Sequence, residues 1–379
     1  MRLALVTGSL VHGGAERQSI TLANRLAERG HECHAVYVKN DPSQLGRLRI
    51  VPPGSVRCLH ASRYFDLKAI SHLHAFFERL APDALLATNP YALMYASLAN
   101  PGVPLAVTLH STHIQTLKEH LQMLAYRPLF WAADCAVFVC ERQQRHWLRR
   151  GLFGRSNQVI YNGVDLDYWK PVDARGLRRA LGFAPEDYVV GLSAVLRPEK
   201  NASQLVDALA RLRQLGLPAR ALFIGDGPER GKVEQRARAL GVADRVVISG
   251  FQEDVRPFLS ACDVLTLTSF TEALSLAAIE AMALGRPVVH ADVGGAAEMI
   301  QSGHDGGLFP VGDTARLVDH LAALADPVLR LRMGESARAT VERRFSEHAM
   351  VERYEQMLAR ITGNKRSRRA QLRKRAAAH

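Results

Sequence analysis

Apolar residues in this chain come in short, nearly unbroken runs separated by longer stretches of mixed character. The chain opens with RLALVT, and the same texture returns as ECHAVYV, DALLAT, PLAVTLH and CAVFVC. Short runs of this kind, rich in Val, Leu and Ala and bounded by polar or glycine positions, are the pattern of strands buried on both faces. Between them lie segments that can wind into helices: 15–29, stopped by Gly30 where a left-handed cap is wanted, and 113–131. The alternation predicts a parallel sheet covered by helices.

Over 162–184 the pattern breaks. NGVDLDYWKPVDARGLRRALGFAPED is rich in turn formers and holds no long apolar run, which marks a linker. A second series then begins, with YVVGLSAV, RALFIGDG, RVVISGF, DVLTLTS and RPVVHAD as strands and helices at about 203–215, 228–240 and 276–284. From Arg343 the reading is helical through about Ile361. Two successive doubly wound α/β units are expected: a first domain over 1–168, a second over 169–345, a helix over 346–362 packing back on the first domain, and a disordered basic tail over 363–379. Sheets of this type bind ligands outside the carboxyl ends of their strands, and two that face each other enclose a cleft.

A chain of 379 residues, 47% hydrophobic and 23% charged, has material for two such cores. No apolar stretch is long enough for a membrane span, and the glycine-broken start is unlike a signal h-region, so a cytoplasmic protein is expected. Five cysteines without a CxxC pair indicate neither a disulfide framework nor a thiolate zinc site. The net charge is +12, but seven of the cations stand between Lys365 and Arg375. The modest remainder does not point to nucleic acid.

GSLVHGG after the first strand, with Gly8, Gly13 and Gly14, suits backbone N–H groups approaching an anion, and reads equally well as a tight turn. It is neither a P-loop nor a dinucleotide fingerprint. Gly225-Asp226-Gly227-Pro228 ends another strand and reads first as a turn. His110 and His113 have no third ligand spaced with them, so His110 is a polar group at a strand end rather than a metal ligand. Asp165 and Asp167 lie in the linker beside Tyr168 and Trp169.

SFTEALSLAAIEAMALG, 269–285, carries most. Ser275 can cap a helix over 276–284, closed by Gly285. Glu272 precedes its start and Glu280 lies just over one turn inside, roughly 10 Å apart. Free N–H groups of Leu276, Ala277 and Ala278 between them favour a diphosphate, with the two carboxylates taking hydroxyls on either side. A nucleotide sugar fits that arrangement; so does an ordinary surface helix with two solvated glutamates. Arg197 and Lys200, in LRPEKN after another strand, can supply phosphate-binding cations or form a plain basic turn.

Taken in order, HGGAE at 12–16, NGVD at 162–165, GDGP at 225–228 and the E-x7-E pair Glu272 and Glu280 resemble the retaining family 4 glycosyltransferases of the GT-B fold, over essentially 2–361. The resemblance implies two facing Rossmann-like domains with parallel sheets and a cleft between them. It places Glu280 on the donor ribose, Glu272 on the transferred sugar, and Arg197 and Lys200 on the diphosphate together with backbone N–H groups of Leu274, Ser275 and Leu276. Gly13 and Gly14 would approach the phosphate or acceptor, His110 the reacting sugar, and Gly225 the donor. The chain departs from the usual pattern at Ala194-Val195-Leu196, where many members have Gly-Arg-Leu, and at Ala273-Leu274-Ser275, where Gly-Phe-Gly is usual.

Retention by front-face attack, without metal or cofactor, is implied. The expected reaction moves a sugar from a nucleoside diphosphate sugar, a UDP-hexose or UDP-N-acetylhexosamine, to a glycan or lipid-linked acceptor in cell-envelope polysaccharide or lipopolysaccharide synthesis; GDP-mannose stays open as donor. The tail would hold the enzyme at the anionic inner face of the membrane. The alternatives are a nucleotide-sugar epimerase on the same fold and a non-catalytic nucleotide-sugar or membrane-binding protein. No nucleic-acid partner is expected.

Overall fold

Residues 1–50, 54–112 and 116–376 are described by the structure, a computed structural model. Met1–Tyr161 and Ala349–His379 make one unit, Asn162–His348 the other. The first holds β1 (Arg2–Thr7), β2 (Glu32–Tyr37), β3 (Val56–Cys58), β4 (Ala84–Thr88), β5 (Leu105–Leu109), β6 (Cys135–Phe138) and β7 (Asn157–Val159). They form one parallel sheet in the order β3-β2-β1-β4-β5-β6-β7. In register, Leu5 lies between Ala35 and Leu86. The order reverses beside β1, as in doubly wound nucleotide-binding sheets.

One face of this sheet packs Val6, Leu85 and Phe138 against Phe77 and Phe130. The other packs Leu3, Leu5, Cys135 and Val137 against Met350, Tyr354, Leu358 and Ile361 of the final helix, Glu347–Ala376. Asp66 caps the helix Leu67–Leu80 by accepting from the Ala69 N–H (3.1 Å), and Ala81 ends it in the left-handed region at φ +47°. Burial of both sheet faces explains why the central strands read as continuous apolar runs.

The second unit repeats the plan: β8 (Tyr188–Ser193), β9 (Ala219–Ile224), β10 (Val246–Ile248), β11 (Val264–Leu267), β12 (Val288–Ala291) and β13 (Gly306–Phe309), all parallel, in the order β10-β9-β8-β11-β12-β13. Val190, Phe223, Val289 and Phe309 share a core with Leu205, Leu209 and Leu321. Two parallel Rossmann-like sheets of this kind are the GT-B class that the motifs implied.

The sequence reading passed over β3, β7 and β13. All three are edge strands, three or four residues long, and VRC, NQV and GGLF carry too few apolar side chains to announce themselves. The stretch 162–184 carries its own helix, Arg175–Ala180, and belongs to the second unit. There Val164 pairs with Ser346, and a Cβ on Gly163 would meet Ser346 O, so glycine stands where two backbones touch. The last helix continues as backbone to Ala376 rather than ending near Ile361; Arg, Lys, Ala, Gln and Leu are all strong helix formers.

Candidate functional site

In the second unit the loops leaving β8, β9, β11 and β12 converge at the carboxyl end of the sheet. Lys200 closes a short 3-10 turn, Pro198–Lys200, and its Nζ meets Glu272 Oε1 at 2.6 Å. Ser269 Oγ donates to the same oxygen (2.8 Å). Burial alone would raise the Glu272 pKa, but Lys200, with help from His290 and Ser269, outweighs it and holds the carboxyl below its ordinary value. Glu272 is therefore an oriented carboxylate at neutral pH.

Backbone ties fix this pair. Thr268 Oγ1 donates to the carbonyls of Lys200 and Asn201 (2.9 and 3.0 Å), and the Phe270 N–H donates to Glu199 O (2.8 Å). Behind them Gly294, at φ +53°, lies so close to Glu272 O and Ala273 O that a Cβ would collide with both. The neighbouring Gly295 N–H donates to Ala273 O (2.6 Å).

Arg197 differs from Lys200. Its side chain is exposed and, among the described residues, has no hydrogen-bond or ion-pair partner. Glu280, at 3% exposure, is buried in the helix Leu276–Ala283, which excludes the alternative of an ordinary surface helix with two solvated glutamates. Ser275 caps that helix as expected, accepting from the Ala278 N–H (3.3 Å). That bond removes Ala278 from the free donors, leaving Leu276 and Ala277 as the N–H groups of the first turn without a side-chain cap. Leu274, Ser275 and Leu276 are themselves buried, so they offer a ligand backbone rather than side chains.

Gly225 has a structural reason to be glycine. At φ +137° its Cβ would collide with Ala194 O, while the Leu196 N–H donates to Asp226 O (2.9 Å) and locks the 225–227 turn onto the Arg197 loop. The turn reading of GDGP thus holds, and its consequence is to position Arg197. Asp165 likewise accepts from the N–H groups of Asp167 and Tyr168 (2.9 and 3.2 Å), an Asx turn rather than a ligand pair.

The sequence reading missed Ser269 and His290. His290 is the penultimate residue of β12 and fully buried; its Nδ1 donates to Ala291 O (2.6 Å), and its Nε2 has no partner among the described residues. Its pKa is lowered by burial, so it is neutral at pH 7. The available signal was a polar residue at the end of each of two apolar strands, TLTS and VVHA.

In the first unit Gly13 caps the helix Gly14–Glu28 with extended backbone (φ −157°), and the Glu16 side chain folds against it. His110 follows β5, partly buried; its N–H donates to Asn89 Oδ1 (3.1 Å), and Nε2 meets Thr108 Oγ1 at 3.2 Å. Burial pushes its pKa down to about 4. His113 lies outside the described residues. Among the described residues no three His, Cys, Asp or Glu side chains stand together as a metal site.

Residues 12–168 match the family described as Glycosyltransferase Family 4, and 173–340 match Glycosyl transferases group 1. The chain is 31% identical over 360 residues to the lipopolysaccharide core biosynthesis glycosyltransferase LpsE of Rhizobium meliloti (strain 1021), covering 92% of this chain and 96% of that one. It is 28% identical over 359 residues to N-acetyl-alpha-D-glucosaminyl L-malate synthase of Bacillus anthracis, covering 90% and 93%. Among solved structures, Anabaena HepE in complex with UDP and glucose superposes with a TM-score of 0.81 at 25% identity, covering 95% of this chain and 99% of that one. With both halves of the chain matched and one relative aligned nearly end to end, the protein belongs to the group 1 glycosyl transferases, family 4 enzymes of the GT-B fold.

Proposed function

We propose that this glycosyltransferase moves a sugar, with retention and without a metal ion, from a nucleoside diphosphate sugar to a glycan or lipid-linked acceptor of cell-envelope polysaccharide or lipopolysaccharide. The observation that carries the reading is the pairing of unlike cations at one sheet end: Arg197 exposed without a partner among the described residues, Lys200 fixed on Glu272. An anionic leaving group needs a charge that can come to it, and an oriented carboxylate is suited to a neutral sugar hydroxyl. Arg197 and Lys200 neutralise the departing diphosphate with the first-turn N–H groups of Leu276 and Ala277, the service a divalent ion would otherwise give. Glu272 holds the transferred sugar, Glu280 the ribose, and the Leu274 to Leu276 backbone and the Gly225 turn the donor. Gly13, Gly14 and neutral His110 serve the acceptor and the reacting sugar.

Support for UDP as the nucleotide comes from HepE, solved with UDP and glucose, and for an envelope acceptor from the name of LpsE. The basic segment from Lys365 to Arg375 is proposed as an electrostatic tether to the anionic inner face of the membrane.

The test is thermal unfolding in EDTA with UDP-glucose, UDP-N-acetylglucosamine or GDP-mannose. A UDP-sugar at about 100 times its dissociation constant should stabilise by about 2.7 kcal/mol; no stabilisation by any donor, or stabilisation that needs added magnesium, would overturn the reading. Arg197→Ala should lower transfer by about 10² to 10³ while unfolding like the wild type, and full activity in that variant would remove Arg197 from the site.

A further inference from the structure

Helix Leu117–Ala132 is apolar on the side where a surface helix is normally polar. Its inward side chains Tyr126 and Phe130 are buried in the core of the first unit. Outward, Leu121, Leu124, Pro128 and Trp131 follow at helical spacing on one stripe, with Leu121 59%, Leu124 46% and Trp131 48% exposed. An exposed apolar stripe opposite the buried one, between polar edges formed by Glu119, His120, Gln122 and Arg127, marks an interaction surface. Among the described residues of the first unit nothing covers this stripe.

The adjoining loop extends it. Trp131 Nε1 donates to Gly151 O (2.9 Å) and Arg127 Nε to Arg150 O (2.8 Å), so the segment after the helix Glu141–Leu148 lies along the same edge. It adds Phe153, 40% exposed, with its ring centroid 6.0 Å from that of Trp131. Beside these apolar groups stand Arg127, Arg149, Arg150 and Arg155. Asp134, the acidic group just past the helix, is shared between Arg155 (3.2 Å) and Lys365 (3.7 Å), so the basic tail starts from this same edge.

We propose that this surface is a docking face that inserts into an anionic lipid monolayer, with the stripe of Leu121, Leu124 and Trp131 entering the headgroup and acyl boundary and the arginines pairing with lipid phosphates. The charge pattern selects this occupant. A second copy of the chain would bring arginine against arginine, whereas an anionic leaflet meets both halves of the surface at once. Tryptophan with one polar edge, and arginines that keep the head wet while the stem is buried, are the side chains suited to that depth. No helix among the described residues is long and apolar enough to cross a membrane, so the attachment is in the plane of the interface. The proposal goes beyond the donor reading and does not depend on it.

Trp131 makes the test direct, because the other two tryptophans, Trp147 and Trp169, are 2% and 8% exposed. Full-length protein is mixed with phosphatidylcholine vesicles, with and without phosphatidylglycerol. Emission should shift to the blue with the anionic vesicles only, and Trp131→Phe should abolish the shift while co-sedimentation persists. Leu121→Glu with Leu124→Glu should reduce co-sedimentation by about tenfold or more, with unchanged circular dichroism and unchanged UDP binding. Each of Arg149→Gln and Arg150→Gln should reduce it by about fivefold. A chain ending at residue 363 should still shift its Trp131 emission, which separates this face from the tail. No blue shift, or wild-type binding by the double glutamate variant, would overturn the proposal. So would a dimer in sedimentation that the same variant disperses, since the face would then be an interface between copies.

Discussion

The carboxyl ends of the two sheets are built differently. In the second unit every loop is tied to another: Lys200 to Glu272, Thr268 to the Lys200 turn, Gly225 against Ala194, Gly294 against Glu272. In the first, the loops are joined by neutral hydrogen bonds: the Leu10 N–H donates to Asp41 O (2.9 Å), Gln143 Nε2 and Trp147 Nε1 both donate to Ser111 O (3.2 and 3.0 Å), and the His110 N–H donates to Asn89 Oδ1 (3.1 Å). The contrast is thus between a charged tie on a largely buried carboxylate and neutral ties.

Breaking the strongest tie gives the largest effect. Lys200→Ala takes the cation from a largely buried carboxylate, leaving Ser269 Oγ on it, and should cost about 3 kcal/mol in denaturant unfolding; wild-type stability would show that the pair does not hold the loops. Gly225→Ala should cost about 2 kcal/mol, from a left-handed φ and a backbone collision. Gly13→Ala should cost under about 1 kcal/mol, since φ is extended there and only the flexible Glu16 must move. Equal melting temperatures for the two glycine variants would remove the contrast.

A further effect is in pH. His110 has a folded pKa of about 4, below that of the unfolded chain, so the unfolded state binds the extra proton in between. Stability from this group is complete above about pH 6.5 and is lost as pH falls toward 4. His110→Asn should flatten that decline, and an unchanged slope would show that the histidine is not held neutral by its site.

The same contrast explains what could be read in advance. Central strands such as RLALVT and YVVGLSAV were legible because burial on both faces leaves an unbroken apolar run. VRC, NQV and GGLF were not, because an edge strand takes its place from a neighbour's hydrogen bonds. At the site, Glu272, Ser275 and Lys200 follow from helix capping and charge. The capture of Lys200 by Glu272, the burial of Glu280 and the presence of His290 depend on loops distant in sequence coming together, which spacing does not report.

The final helix has a consequence for how the protein is made. The face of the first sheet bearing Leu3, Leu5, Cys135 and Val137 is synthesised early, yet its cover, Met350 to Ile361, leaves the ribosome only after all of the second unit. With residues emerging at roughly 5 to 20 per second, the nascent first unit exposes, for about ten seconds or more, the part of this apolar face that Leu22, Ala23 and Leu26 of the helix Gly14–Glu28 leave uncovered. A chaperone bound in that interval would have its site there, and truncation before residue 349 should yield a chain that aggregates while its second unit folds.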